Sequence, residues 1–197
     1  LRWIGSFNGS ERETLLLPHI SRRITDRAGF SRPQQLVERF GDGTTTQKTL
    51  GLYLRTYLMD HVLVKVDRAS MYASLEARSP FLDYPLVDFV NSLPYAFKLH
   101  GFTPKYILKK LMSDKLPKEI VWRPKKGFGV PMAVWLKNEL KPLCDELFSK
   151  TLVEQQGLFN HTYIVRLLDE HQSGRVDNRK KIWNLLVFQM WWKRWGC

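Results

Sequence analysis

Apolar residues in this chain recur at spacings of three and four far more often than at two, a rhythm that restricts most of it to packed helices. Leu86, Phe89, Val90 and Leu93 form an i, i+3, i+4, i+7 stripe, with Asp83 as its candidate cap, Pro85 in its first turn and Pro94 as its stop. Ile107, Leu108, Leu111 and Met112 mark a second helix, with Lys105, Lys109 and Lys110 facing away and Pro117 beyond its end. A third runs over 160–174, from Asn160 through Tyr163, Ile164, Leu167 and Leu168 to Gly174, a suitable stop. The last spans 178–194 and carries Trp183, Trp191, Trp192 and, just beyond, Trp195. It is apolar on more than one face, so it is expected to be covered as the closing helix of the core, with a subunit contact in a homodimer as the alternative. Helices are also expected over 34–40 and 50–59, joined by the flexible connection GDGTTT at 41–46. Alternating strand patterns are scarce, and no internal repeat or low-complexity tract is present.

The 197 residues, 44% hydrophobic and 13% aromatic, suffice for one globular core of ordinary single-domain size. No stretch approaches the roughly 20 apolar residues of a membrane span, and no leader-like segment opens the chain, so a cytoplasmic protein with no membrane partner is expected. Leu1, Trp3, Ile4 and Phe7 are helix-compatible without a start signal before them, as if the amino end were severed. Cys144 and Cys197 are too few for a disulfide framework or a structural zinc site. Cys144 falls in the apolar series Leu140, Leu143, Cys144, Leu147 and reads as core filler. No metal ligands are assigned. Lys and Arg outnumber Asp and Glu 31 to 19, a net charge of +12 that favours polyanions, but no nucleic-acid-binding signature accompanies it. A solvated basic face is expected, without specific nucleic-acid recognition.

Three segments depart from ordinary amphipathic helix. In 60–71 (DHVLVKVDRASM), Leu63, Val66, Ser70 and, beyond the segment, Ala73 form an inward stripe beside Lys65, Asp67 and Arg68. In 74–83 (SLEARSPFLD), Glu76 and Arg78 sit between apolar neighbours, before a proline that favours extended backbone. Such charges are costly to bury unpaired, so they should meet each other, Asp67, Arg68 or a ligand. In 122–131 (WRPKKGFGVP), Pro124 and Pro131 restrict the ends while Gly127 and Gly129 permit unusual backbone angles. The loop presents Arg123, Lys125 and Lys126, which suit an anion such as phosphate, although by pattern alone a plain surface loop is the plainer reading.

In this order and spacing, the runs KVDRASMYASLEARSPFLD (65–83) and LPKEIVWRPKKGFGVP (116–131), followed by Trp135 and Leu136, closely resemble the late motifs of the asparagine synthetase (glutamine-hydrolysing) family. The resemblance extends at lower specificity over nearly the whole chain. It implies a mainly α-helical, C-terminal portion of an α/β domain of the ATP-pyrophosphatase type, covering 1–197. In such enzymes an amino-terminal cysteine glutaminase supplies ammonia, ATP with Mg2+ adenylates the aspartate side-chain carboxylate, and ammonia displaces AMP to give asparagine. The glutaminase, the SGGxDS pyrophosphate loop and the acidic FGGY-like segment would precede Leu1. The expected partner is therefore the remainder of the same chain, and these residues alone should be inactive.

Carried over by motif position, Lys125 corresponds to the family's lysine on the reacting phosphate, with Lys126 its competitor and Gly127 beside it in the nucleotide-contacting loop. A fixed ammonium there would stabilise charge that grows in the transition state. Asp60 matches an acidic residue near the adenylate, with His61 competing for the register. Asp67, Arg68, Glu76 and Arg78 are expected to be supporting scaffold or substrate contacts. Two other readings stand beside this one: a β-lactam-forming or peptide-modifying relative acting on a different carboxylate, and a non-catalytic helical binding module for RNA or acidic partners.

Overall fold

The computed structural model describes residues 6–24, 31–127 and 129–196. The helices are α1 (Gly9–Leu15), α2 (Pro18–Ser21), α3 (Ser31–Glu38), α4 (Thr45–Tyr53), α5 (Val64–Tyr72), α6 (Tyr84–Ser92), α7 (Tyr95–Lys98), α8 (Tyr106–Met112), α9 (Lys118–Val121), α10 (Met132–Lys137), α11 (Lys141–Leu147), α12 (Lys150–Gln156), α13 (His161–Gln172) and α14 (Arg179–Trp195). Among the described residues, extended pairing is confined to a two-residue antiparallel ladder, β1 (Leu99–His100) with β2 (Thr103–Pro104), and an isolated bridge between Leu16 and Phe159. The chain is thus chiefly helical, as the periodicity implies. It divides into two compact units, one formed by Leu1–Gln35 with Gly129–Cys197, the other by Leu36–Phe128.

The first unit holds the hydrophobic core. Leu15 of α1, Leu136 of α10, Cys144 and Leu147 of α11, Val153 of α12, Tyr163, Ile164 and Leu167 of α13, and Ile182, Leu185 and Leu186 of α14 are all buried in one cluster. Each such aliphatic side chain removed from water contributes on the order of 1.5–3 kcal/mol. Main-chain bonds from Leu17 to Leu158 and from Asn160 to Leu15 fasten the end of α1 to the start of α13. Where amides cannot pair within a helix, side chains cap them: Asn8 and Glu11 form a reciprocal capping box at α1, and Asn160 accepts from the Tyr163 N–H. The start of α1 therefore lies at Asn8, with a capping signal that the apolar run from Leu1 obscures. Residues 1–5 of that run fall outside the described residues.

Helix α14 corrects one expectation. Its buried line is Ile182, Leu185, Leu186 and Gln189, spaced for one helical face. Val187, Trp191 and Trp195 recur every four residues on the opposite side, and Trp191 and Trp195 are 53% and 64% exposed. Among the tryptophans, Trp183 packs against the core, while Trp192 is half-buried and ring-stacked with Phe188 at 5.8 Å. An aromatic-rich helix can be apolar all round while aliphatic side chains fill the one face that is covered.

The second unit is built differently. Helix α4 starts from a Thr44–Gln47 capping box and passes into a π-helix, Leu54–Leu63, which continues into α5, so 45–72 is one helical run. The helix expected over 50–59 is therefore longer, and the segment 60–71 lies on the same element. The wider π turn re-aims side chains relative to a 3.6-residue period. The expected inward stripe is not buried: Val66 is exposed, and Leu63 and Ser70 are only half-buried. The expectation of a single core is corrected as well: among the described large hydrophobic side chains of this unit only Leu36 and Leu52 are buried, while Tyr72, Leu75, Phe81, Tyr84 and Phe89 are exposed.

Candidate functional site

All eight sequence-derived site residues, Asp60, Asp67, Arg68, Glu76, Arg78, Lys125, Lys126 and Gly127, fall within the second unit. Asp60 lies near the end of the π-helix beside His61, whose ring sits 5.4 Å from that of Tyr57. π-helical segments are rare, and no residue pattern in the sequence announces this one. Asp67 and Arg68 follow on α5 with exposed side chains.

α5 ends in a local structure that sequence reasoning missed. Ser74 adopts φ +56, its N–H donates to the Met71 carbonyl, and the Leu75 N–H donates to the Ser70 carbonyl. This is a Schellman-type stop with serine where glycine is usual. It turns the chain sharply into an irregular stretch that carries Glu76 and Arg78. There Arg78 Nε donates to Glu76 Oε1 at 2.8 Å, and Nη2 stands 2.8 Å from the same oxygen. Of the pairings expected for them, the two charges take the one with each other, in the open: the Glu76 and Arg78 side chains are 67% and 86% exposed. Ser79 is extended before Pro80, as a pre-proline residue should be.

The loop bearing Lys125 follows α9. Lys109 of α8 rests over the Trp122 ring at 5.1 Å, which ties α8 to the start of the loop. Residues 123–127 have no regular structure and are exposed. Gly127 and Gly129 do not take positive φ, and a Cβ at either would meet nothing within 4 Å, so the unusual angles expected there are absent. The two prolines already hold the segment open without them. Among the described residues, no hydrogen bond or ion pair joins Lys125 or Lys126 to a neighbour, or joins Lys125 to Asp60, Asp67, Arg68 or Glu76. Also among the described residues, no three His, Cys, Asp or Glu side chains converge into a metal-binding group.

The first unit contributes buried polar groups rather than a reactive cluster. Cys144 is core, as its periodicity implies; burial above all, with Asp145 adding and Lys141 opposing, pushes its thiol up to about 11. Buried His171 places Nε2 3.2 Å from the Ala133 carbonyl, and Asn178 donates to Leu167 O and Glu170 Oε2. Neither residue stands out in the sequence, because each looks like a polar residue near a helix end.

Comparison with known proteins identifies the family to which this helical chain and its exposed WRPKKG segment belong. The family model described as asparagine synthase matches residues 7–193. The chain is 33% identical over 138 residues to asparagine synthetase [glutamine-hydrolyzing] 1 of Bacillus subtilis (strain 168), an alignment spanning 70% of this chain and 22% of that protein. It is 34% identical over 139 residues to a putative asparagine synthetase [glutamine-hydrolyzing] of Mycobacterium bovis, covering 70% and 21%, and 27% identical over 163 residues to amidase chyE of Penicillium rubens, covering 79% and 22%. No solved structure matches. The chain belongs to the asparagine synthase family, and it spans about a fifth of the length of these curated relatives. No helix of the described residues is long and apolar enough to cross a membrane.

Proposed function

We propose that this chain is the helical, C-terminal part of an ATP-pyrophosphatase-type domain in a glutamine-dependent asparagine synthetase, and that Lys125 acts on the phosphate during adenylation. The observation that carries this reading is the exposed 123–127 loop, held open between prolines and presenting an ammonium with no partner among the described residues. A carboxylate oxygen of aspartate attacks the α-phosphorus of ATP, the α-phosphorus to bridging-oxygen bond breaks, and pyrophosphate leaves. Ammonia then attacks the acyl carbon, loses a proton and expels AMP. Both leaving groups are anionic, so a positioned ammonium stabilises the adenylation transition state more than the ground state. Asp60, on the π-helix, and Asp67, Arg68, Glu76 and Arg78, beyond it, would shape the wall that faces the substrate, with Lys126 and Gly127 completing the loop.

The test is made in the native protein that carries this chain. Lys125→Ala should lower aspartate-dependent pyrophosphate release and asparagine formation by about a hundredfold, the size of one lost electrostatic contact to a developing charge. Lys126→Ala should have a much smaller effect, Lys125→Arg should restore little, and glutamine hydrolysis should survive. Normal pyrophosphate release in Lys125→Ala would remove the residue from the chemistry. The similarity to amidase chyE favours one second reading, the same amide chemistry on another carboxylate. Activity with a different acid and none with aspartate would select it.

A further inference from the structure

Positive charge in this chain is less evenly spread than its total implies. Between residues 105 and 127 lie Lys105, Lys109, Lys110, Lys115, Lys118 and Arg123, then Lys125 and Lys126: eight cations against two carboxylates, Asp114 and Glu119. This local excess of six is half the net charge of +12. The cations also lack carboxylate partners among the described residues. In the first unit, Lys141, Lys150, Arg166, Arg179, Lys181 and Lys193 each have a carboxylate oxygen within 3.9 Å. Among the described residues none of the eight has one, although Asp114 and Glu119 lie in the same stretch. The segment is spatially local too, because Lys109 on the Trp122 ring binds α8 to the base of the loop and α9 leads directly into it.

Surface cations left unneutralised in one place repel each other and raise a positive potential that persists over about a Debye length, roughly 10 Å at 0.1 M salt. We propose that residues 105–127 form an electrostatic funnel for polyphosphate, in which the exposed Lys110, Lys115 and Lys118 draw the nucleotide toward Lys125 without touching the reacting atoms. The proposal rests on the adenylation reading for the identity of the anion, and deepens it by separating capture from chemistry. Lys110, Lys115 and Lys118 are steering residues and Lys125 the catalytic one.

The experiment uses the triple variant Lys110→Glu, Lys115→Glu, Lys118→Glu, whose sites are exposed. In the native protein, kcat/KM for ATP should fall about tenfold at 20 mM salt, kcat should be unchanged, and the difference should vanish near 0.5 M salt. An equal salt dependence in variant and parent would overturn the funnel. A second arm needs no turnover: inorganic tripolyphosphate should bind the 197-residue chain in a calorimeter, weakly and less at higher salt, with the triple variant losing binding and Lys125→Ala keeping most of it. Tripolyphosphate binding unchanged in the triple variant would overturn the proposal, as would binding of an oligonucleotide but not of tripolyphosphate. If Lys125→Ala leaves adenylation intact while the triple variant loses tripolyphosphate, the adenylation reading fails and the funnel stands.

Discussion

Gln156 and Gln189 offer the sharpest test of how the first unit is held together. Gln156 Nε2 donates to Gln189 Oε1 at 2.5 Å and Gln189 Nε2 donates to Gln156 Oε1 at 2.9 Å, a reciprocal amide pair joining the end of α12 to the buried face of α14. Gln189 is only 2% exposed, whereas Gln156 is half-buried, and that asymmetry sets the magnitudes. Each bond is worth about 1 kcal/mol net, and an amide stranded away from water costs a further 1–3 kcal/mol. Gln156→Leu strands the buried Gln189 and should cost about 3–4 kcal/mol. Gln189→Leu strands an amide that water can still reach, and gains an aliphatic group in the core, so it should cost about 2 kcal/mol. The double variant strands nothing and should lie within about 1 kcal/mol of the parent, giving a coupling of several kcal/mol. Urea unfolding followed by tryptophan fluorescence, with slopes compared across the four proteins, measures this. Additive losses, or a larger loss from Gln189→Leu than from Gln156→Leu, would refute the reasoning.

Three further outcomes are expected. Ser74→Gly relieves a left-handed serine and should strengthen amide-exchange protection of the Ser74 and Leu75 N–H groups about threefold to fivefold, whereas Ser74→Ala should not. In a Cys197→Ala background, Cys144 should react with a disulfide reagent at pH 8 far more slowly than an ordinary thiol. Its raised value, about 11 against 9.0, means that its stabilisation is complete below pH 9 and is lost as pH rises toward 11, visible as a falling alkaline melting temperature. Burial raises the Glu11 carboxyl, but the Asn8 N–H and the Lys181 ammonium outweigh it, so its value is lowered. The contribution is therefore present above the usual glutamate range and lost as pH falls below it. Glu11→Gln should flatten that acid limb and cost about 1 kcal/mol at neutral pH.

Much of the local structure is legible because it depends on neighbours in sequence. Asp83, Pro85 and Pro94 bracket α6, Asn160 and Gly174 bracket α13, and the prolines of 122–131 produce an open loop. Two capping boxes, Asn8 with Glu11 and Thr44 with Gln47, were available in the residue pattern but lay beneath stronger apolar and glycine signals. The π-helix and the left-handed Ser74 had no such signal: hydrophobic spacing cannot distinguish i+4 from i+5 pairing over one turn, and serine is an uncommon choice for positive φ.

Burial is legible only where the chain closes on itself. The α13 stripe of Tyr163, Ile164 and Leu167 is buried, while the equally regular α6 stripe has Phe89 and Val90 exposed. Periodicity treats the two alike, since it reports which face is apolar and not what meets it. The difference lies in contacts between distant parts of the sequence: Lys181 reaches Glu11, Asn184 donates to Ser6, and Leu16 pairs with Phe159, so the two ends of the chain seal one core. Residues 36–128 run between those ends, and their contacts include local ones such as Arg78 with Glu76 and Lys109 with Trp122. Local bonds of this kind shape a surface without covering it. That accounts for a second unit whose secondary structure follows its sequence closely while its apolar faces, and the Lys125 loop beside them, stay open.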